Sequence, residues 1–286
     1  MCIVLSQFSY TKADVVRLEN QAAILRQDIL NMIHAAKAGH PGGSLSAIDM
    51  ITALYFHVLR IDPANPDWAD RDRFILSKGH ACPALYAALA RRGFFDPAIL
   101  PTLRQYGSIL QGHPDMNKVP GLDMTAGSLG NGLSVGVGMA LSAGLHKQDY
   151  TTYVMLGDGE IQEGMVWEAA MAANHHDLKN LVAIVDCNGV QINGWTNDVM
   201  TVEPLADKWR AFGWRVVECD GHNMEQILHA LHTAKTMRHC TAILMRTVKG
   251  KGVDFMEDNP AWHGAAPSDE QLVQAICQVK EGGRVQ

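Results

Sequence analysis

The sequence predicts an α/β protein built on a mainly parallel sheet with helices on both faces. Two observations carry that reading: apolar runs alternate with amphipathic stretches through the second half, and a Gly-Asp-Gly turn closes one run while an Asn closes the next. The segments are Thr152 to Leu156, Gly164 to Asn174, Leu181 to Val185, Pro204 to Phe212, Trp214 to Cys219, Met224 to Met237 and Ala242 to Met245. Strands separated by helices must be joined by crossovers, which make the strands parallel and cover both faces of the sheet.

Upstream, Ala13 to Ala38 carries Val16, Leu18, Ile24, Leu25, Ile29, Leu30 and Ile33 at helical spacing, and Gly39 is its natural stop. A second helix starts at Ser44 or Ser46, either of which can cap it, and runs through Ile48, Met50, Leu54 and Phe56 to the turn Asp62-Pro63-Ala64-Asn65-Pro66. No repeat, low-complexity tract or linker divides the 286 residues, so 1–286 reads as one domain with an N-terminal helical extension.

With 47% hydrophobic and 19% charged residues, the chain has ample material for a large core. A net charge of −6 argues against a nucleic-acid or anionic-membrane surface, because polyanions need clustered basic charge. The six cysteines (Cys2, Cys82, Cys187, Cys219, Cys240, Cys277) show no CxxC pair or zinc spacing and read as reduced thiols in the cytoplasm. The first residues, Met1-Cys2-Ile3-Val4-Leu5, turn polar at Ser6-Gln7, so no leader is expected. No apolar run approaches the ~18 residues of a membrane helix.

The chemistry concentrates in Leu156-Gly157-Asp158-Gly159-Glu160 and, thirty residues after Asp158, Asn188 in Asp186-Cys187-Asn188-Gly189. One right-handed crossover between them would bring Asp158 and Asn188 to neighbouring strand tips roughly 5 Å apart. Open parallel sheets bind ligands at that edge. A carboxylate, an amide oxygen and the backbone carbonyl of Val190 are hard donors suited to Mg²⁺ or Ca²⁺, with diphosphate oxygens completing the shell. Gly157 and Gly159 would let the backbone turn tightly toward phosphates, and the helix starting near Glu163 would aim free N–H groups at them. Taken alone, Gly-Asp-Gly is also an ordinary strand-to-helix turn; the Asn at the next strand end is what favours a site.

Gly-Asp-Gly, about thirty residues and then Asn is the thiamine diphosphate fingerprint, and residues 157–164 with Glu168 resemble the form seen in transketolases. The likeness covers nearly the whole chain, from the first helix to Trp262-His263-Gly264. It implies the diphosphate-binding (PP-type) fold, with thiamine diphosphate and Mg²⁺ (or Ca²⁺ or Mn²⁺) as cofactors. Asp158, Asn188 and Val190 are then metal ligands. His80, Gly127, Ser128, Leu129, Asp158, Gly159, Glu160, Asn188 and His263 hold the cofactor, Leu129 as an apolar wedge. His40, His113 and His263 act on substrate and, with Glu163, in catalysis, while Glu163 and Glu168 lie at a subunit interface.

The family's cofactor-activating glutamate and its pyrimidine pocket sit in domains this chain lacks. The resemblance therefore implies a C-terminal partner subunit, in an α2β2 heterotetramer, and two-carbon ketol transfer from a ketose (phosphate) to an aldose (phosphate). A deoxyxylulose-phosphate synthase-like or keto-acid dehydrogenase-like component and a non-catalytic cofactor-binding chain are the alternatives. Gly112-His113-Pro114 followed by 125–130 fits transketolases better. Gly130-x-Gly132-x-x-x-Gly136 lacks the preceding strand of a dinucleotide loop; Gly136, Gly138 and Gly144 read as permitting close helix packing. The histidines lack the i, i+4 pairing of zinc sites. Lys249-Gly250-Lys251-Gly252 reads as a basic loop over the phosphates or a solvated loop.

Overall fold

The computed structural model describes residues 10–192 and 194–282; the expectation about a leader falls outside them. Helix α1 (Lys12–Ala36) is opened by a reciprocal cap in which the Thr11 hydroxyl accepts the Asp14 N–H and the Asp14 carboxylate accepts the Thr11 N–H. It ends at Lys37, in left-handed conformation, two residues before the expected stop at Gly39.

Helix α2 (Pro41–Ala53) starts at Pro41, earlier than the predicted Ser44 or Ser46. Proline suits a first helical position because it has no N–H to satisfy there. Both serines lie inside the helix, buried: Ser44 Oγ donates to the His40 carbonyl and Ser46 Oγ to the Asp186 carboxylate. The earlier start brings His40, Gly42 and Gly43 to the helix end that faces the sheet edge.

The main sheet has five strands, all parallel, in the order β1 (Arg73–Leu76), β2 (Thr152–Gly157), β3 (Leu181–Cys187), β7 (Thr241–Arg246) and β6 (Arg215–Asp220). Between β3 and β6, β4 (Val190–Gln191) pairs antiparallel with β5 (Gly194–Trp195). Strand β1 is missing from the sequence reading because only three apolar residues follow Arg73, too few to show a period.

Alternate residues of the strands bury into two cores. Phe74, Tyr153, Met155, Ile184 and Ile243 face α1, α2, α3 (Cys82–Arg92) and α8 (Met224–Thr236). Ile75, Val154, Leu156, Val185 and Leu244 face α4 (Asn131–His146), α5 (Gly164–His175) and α7 (Leu205–Ala211). The short α6 (Thr196–Val199) follows β5, and α9 (Asp269–Gly282) packs on α1. Of the three glycines read as packing positions, only Gly136 is required: a Cβ there would stand 2.5 Å from Val154 Cγ2, while Gly138 and Gly144 face open space.

Candidate active site

Strands β2 and β3 are adjacent, with Gly157 opposite Asp186, so the chain leaves both at the same carboxyl edge. Asp158 and Asn188 do meet there. Asp158 Oδ2 accepts the Gly189 N–H at 2.6 Å and Oδ1 accepts the Gly159 N–H at 2.8 Å. Asn188 Oδ1 accepts the Val190 N–H at 3.2 Å, and its amide donates to Asp186 at 3.2 Å, which fixes the oxygen end of the amide.

These donors fit a divalent cation. Each Asp158 oxygen and the Asn188 oxygen has one lone pair engaged, and the Val190 carbonyl accepts one bond, from Lys249 Nζ at 2.8 Å; all four keep a free acceptor site. Burial, followed by the Asp186 charge, pushes the Asp158 carboxyl up to about 6, so a cation would relieve a carboxylate the chain itself leaves under-compensated. Among the described residues, no group of three or more His, Cys, Asp or Glu is placed to hold a metal.

The glycines work differently from the sequence expectation. Gly159 has ordinary right-handed torsions and is needed for space, since a Cβ would stand 2.8 Å from Gln191 Cβ; a Cβ at Gly157 would make only normal contacts. A 3₁₀ turn (Glu160–Gln162) separates the motif from α5, whose first residue is Gly164 and whose cap is Glu163.

Two buried lysines dominate the electrostatics. Lys78 is paired with Asp186, which also accepts from Ser46 and Thr247 and so organises the floor of the cleft. Burial works against the Asp186 charge, but these partners outweigh it and hold the carboxyl low. Lys249 is 2% exposed, so the solvated-loop reading of 249–252 fails; backbone and side-chain bonds pin that turn to α2 and β4. Burial, then the Lys78 charge, bring its ammonium down to about 8. The sequence reading gives Lys78 no role and takes Lys249 only as part of a basic loop over the phosphates. Their only signal is position, beside His80 and after the last strand.

His40, His80 and His263 form a triangle with ring centroids 5.1, 5.3 and 5.4 Å apart. His113 backs Gly127 on the facing wall, its ring carbons 3.6 Å from where a Cβ would lie. The Arg104 guanidinium, also absent from the sequence assignments, stands 2.7 Å from where a Gly112 Cβ would lie, close enough for its charge to act on His40 and His113. Burial, then neighbouring cations, hold His40 and His263 down at about 4 and His80 well below its usual value. All three rings are therefore uncharged near neutrality. His40 Nδ1 is buried without a hydrogen-bond partner, and His263 Nδ1 lies 2.9 Å from Lys249 Nζ, which leaves the His263 proton on Nε2.

All four histidines, Asp158, Asn188, Val190, Gly127, Leu129, Gly159 and Glu163 line one cleft of ≈ 410 Å³. Two assignments change in character. Glu160 borders the cleft, but its carboxylate turns inward to accept Ser77 Oγ and the Gly130 and Gly157 N–H groups, so it braces the 127–132 loop. Ser128 is exposed and outside the lining. Glu163 and Glu168 are exposed, beside a surface carrying Leu129, Val135, Met165 and Met171 at 36–58% exposure.

Residues 18–280 match the family model "Transketolase, thiamine diphosphate binding domain". The chain is 46% identical to one subunit of the apulose-4-phosphate transketolase of Phocaeicola vulgatus, over 93% of its own length and 95% of that protein's. It is 45% identical to a 6-deoxy-6-sulfo-D-fructose transketolase subunit from a Clostridium species, covering 94% and 98%. Against the transketolase structure from Campylobacter jejuni the TM-score is 0.88 at 32% identity, over 94% of this chain and 43% of that one. The chain spans less than half of such full-length transketolases but almost all of the separate subunits. Matched by that family model over residues 18–280 and by such subunits over 93–94% of its length, and bringing Asp158 and Asn188 together at one sheet edge, the chain belongs to the transketolase family through its thiamine-diphosphate-binding domain.

Proposed function

We propose that this chain holds thiamine diphosphate and a divalent cation, Mg²⁺ by the hardness of its donors, for ketol transfer completed by a C-terminal partner subunit. The observation that carries the reading is the convergence of the Asp158, Asn188 and Val190 oxygens beside Lys249 and the histidine triangle. When bound, thiamine diphosphate supplies a nucleophilic carbon that carries a two-carbon fragment from a ketose (phosphate) to an aldose (phosphate).

Asp158, Asn188 and Val190 bind the cation, and His80, His263 and Lys249 hold the diphosphate. Gly127, Leu129 and Gly159 shape the wall against the cofactor. His40 and His113, uncharged, each offer one N–H and one basic nitrogen, so they can orient sugar hydroxyls and accept a proton from one. Arg104 adds a positive charge that suits a phosphorylated or otherwise anionic sugar.

Exposed apolar residues beside Glu163 and Glu168 support assembly through α4 and α5. The proposed complex is an α2β2 heterotetramer whose partner carries the pyrimidine pocket and its glutamate, with 1–286 as one domain. Five free thiols among the described residues support a reducing, cytoplasmic setting. The test is a ketol-transfer assay of the chain with and without such a partner, thiamine diphosphate and Mg²⁺. Activity only in the full mixture is expected; turnover by the chain alone would overturn the split-site reading.

A further inference from the structure

The turn 248–251 delivers Lys249 to the cleft, and side chains outside the cleft lining hold both its ends. At the first end, the Val248 N–H donates to His222 Nε2 at 2.8 Å. That bond requires Nε2 to be the acceptor, so Nδ1 carries the proton and donates to Asp49 Oδ2 at 2.8 Å. At the other end, Arg26 Nε donates to the Lys251 carbonyl at 3.3 Å, and its two terminal nitrogens grip both Asp49 oxygens at 2.9 and 2.6 Å. Both ends of the turn therefore lead to one carboxylate. Midway, the Gly250 N–H donates to the carbonyl of Gly42 on α2, the helix that also carries Asp49.

The three side chains are largely shielded, Asp49 at 9%, Arg26 at 11% and His222 at 12% exposure, which keeps the chain of bonds out of competition with water. Bidentate Arg–carboxylate geometry fixes orientation as well as charge. Within the turn, Gly250 and Gly252 have left-handed torsions and Lys249 extends inward to Val190 and His263, while Glu257 adds an anchor at the second end by pairing with Lys251 Nζ at 3.2 Å and accepting the Gly252 N–H at 3.0 Å. Loss of the His222 tie frees Val248, next to Lys249, at the end that Glu257 does not hold.

We propose that Asp49 is a positioning residue for the cofactor site: through His222 and Arg26 it clamps both ends of the 248–251 turn and thereby sets Lys249 on Val190 and His263. This rests on the reading of Lys249 as a diphosphate-holding group. The Asp49–Arg26–His222 group thus acts on the site without touching what binds there, as supporting partners of a metal centre do.

The two amide replacements of His222 separate this role from bulk stability. Glutamine places an oxygen where Nε2 stands and can still accept the Val248 N–H, whereas asparagine reaches only the Nδ1 position and can bond Asp49 but not Val248. The experiment compares His222→Gln, His222→Asn, Asp49→Asn and Lys249→Ala in the full chain. It reads amide hydrogen exchange over 246–252, and calorimetric titration with thiamine diphosphate in excess Mg²⁺. Expected for His222→Asn and Asp49→Asn is about tenfold faster exchange at 248–251 and about tenfold weaker binding, with His222→Gln, which keeps the Val248 bond but not the Asp49 one, between these and wild type. In a Lys249→Ala background, His222→Asn should weaken binding no further, because both changes act through the same ammonium. Wild-type exchange in His222→Asn, equal losses in the two His222 variants, or an undiminished effect in the Lys249→Ala background overturns the clamp. Wild-type affinity in Lys249→Ala overturns instead the diphosphate role of Lys249, and the exchange data, which report on Val248 whatever binds, tell the two failures apart.

Discussion

The Asp158 carboxylate accepts the Gly189 N–H at 2.6 Å, tying the turn that ends β2 to the turn that ends β3. Two strand tips thirty residues apart in sequence thus share one anchor, and the proposed cation site is assembled across them. Replacing Asp158 by Ala removes a carboxylate that burial disfavours but also the acceptor of the Gly159 and Gly189 N–H groups; the two effects oppose each other, so the unliganded chain should stay folded with an unfolding temperature within about 5 °C of the parent. Mg²⁺-dependent thiamine diphosphate affinity should fall by about 100-fold. Calorimetric titration beside thermal unfolding checks both halves, and unchanged affinity would remove Asp158 from the site.

Lys78 and Asp186 form the most enclosed ion pair of the cleft, with side chains 2% and 0% exposed. Lys78→Met leaves Asp186 buried with only neutral partners, which should cost about 3–5 kcal/mol. Urea unfolding of the variant measures it; a loss below about 1 kcal/mol would mean that Ser46, Thr247 and Asn188 satisfy Asp186 by themselves.

Glu160 predicts a brace rather than a ligand. In Glu160→Gln one oxygen becomes an NH₂ that faces a donor, Ser77, Gly130 or Gly157, at a cost of about 1–3 kcal/mol. Faster amide exchange at Gly130 and Gly132 should accompany it. Loss of cofactor affinity with no change in exchange would return Glu160 to direct contact.

Acid should destabilise the chain through the histidine triangle. His40 and His263 are held at about 4 against 6.5 in the unfolded chain, so the unfolded state binds more protons between those values. Their contribution to stability is fully present above 6.5 and is lost as pH falls through about 4. Thermal unfolding of His40→Asn and His263→Asn should therefore show a shallower decline from pH 6.5 to 4 than the parent. An equal slope would mean that the rings titrate normally.

Met165 and Met171, 43% and 58% exposed on α5, belong to the face expected to meet other subunits. Glu at either position should leave the chain's own stability within about 0.5 kcal/mol. It should abolish assembly with the partner, as read by light scattering. Full assembly of a Met165→Glu/Met171→Glu double variant would place the interface elsewhere.

The sheet and its reactive edge were legible because local pattern suffices there. Alternating runs gave four of the five main strands within two residues, and a right-handed crossover places successive strand tips together whatever the side chains between them, so Asp158 and Asn188 could be paired from spacing alone. The positions of His40, His80, His113 and His263 were read only through family likeness, since nothing local says that four glycine-flanked turns converge. Lys78, Lys249, Arg104 and the inward turn of Glu160 depended on the tertiary structure. A lysine is solvated or buried according to whether a carboxylate from a distant segment meets it, and Asp186, 108 residues beyond Lys78, is supplied by the fold. Sequence thus determined which groups stand at the sheet edge, and packing decided their charge, their orientation and which of them brace rather than bind.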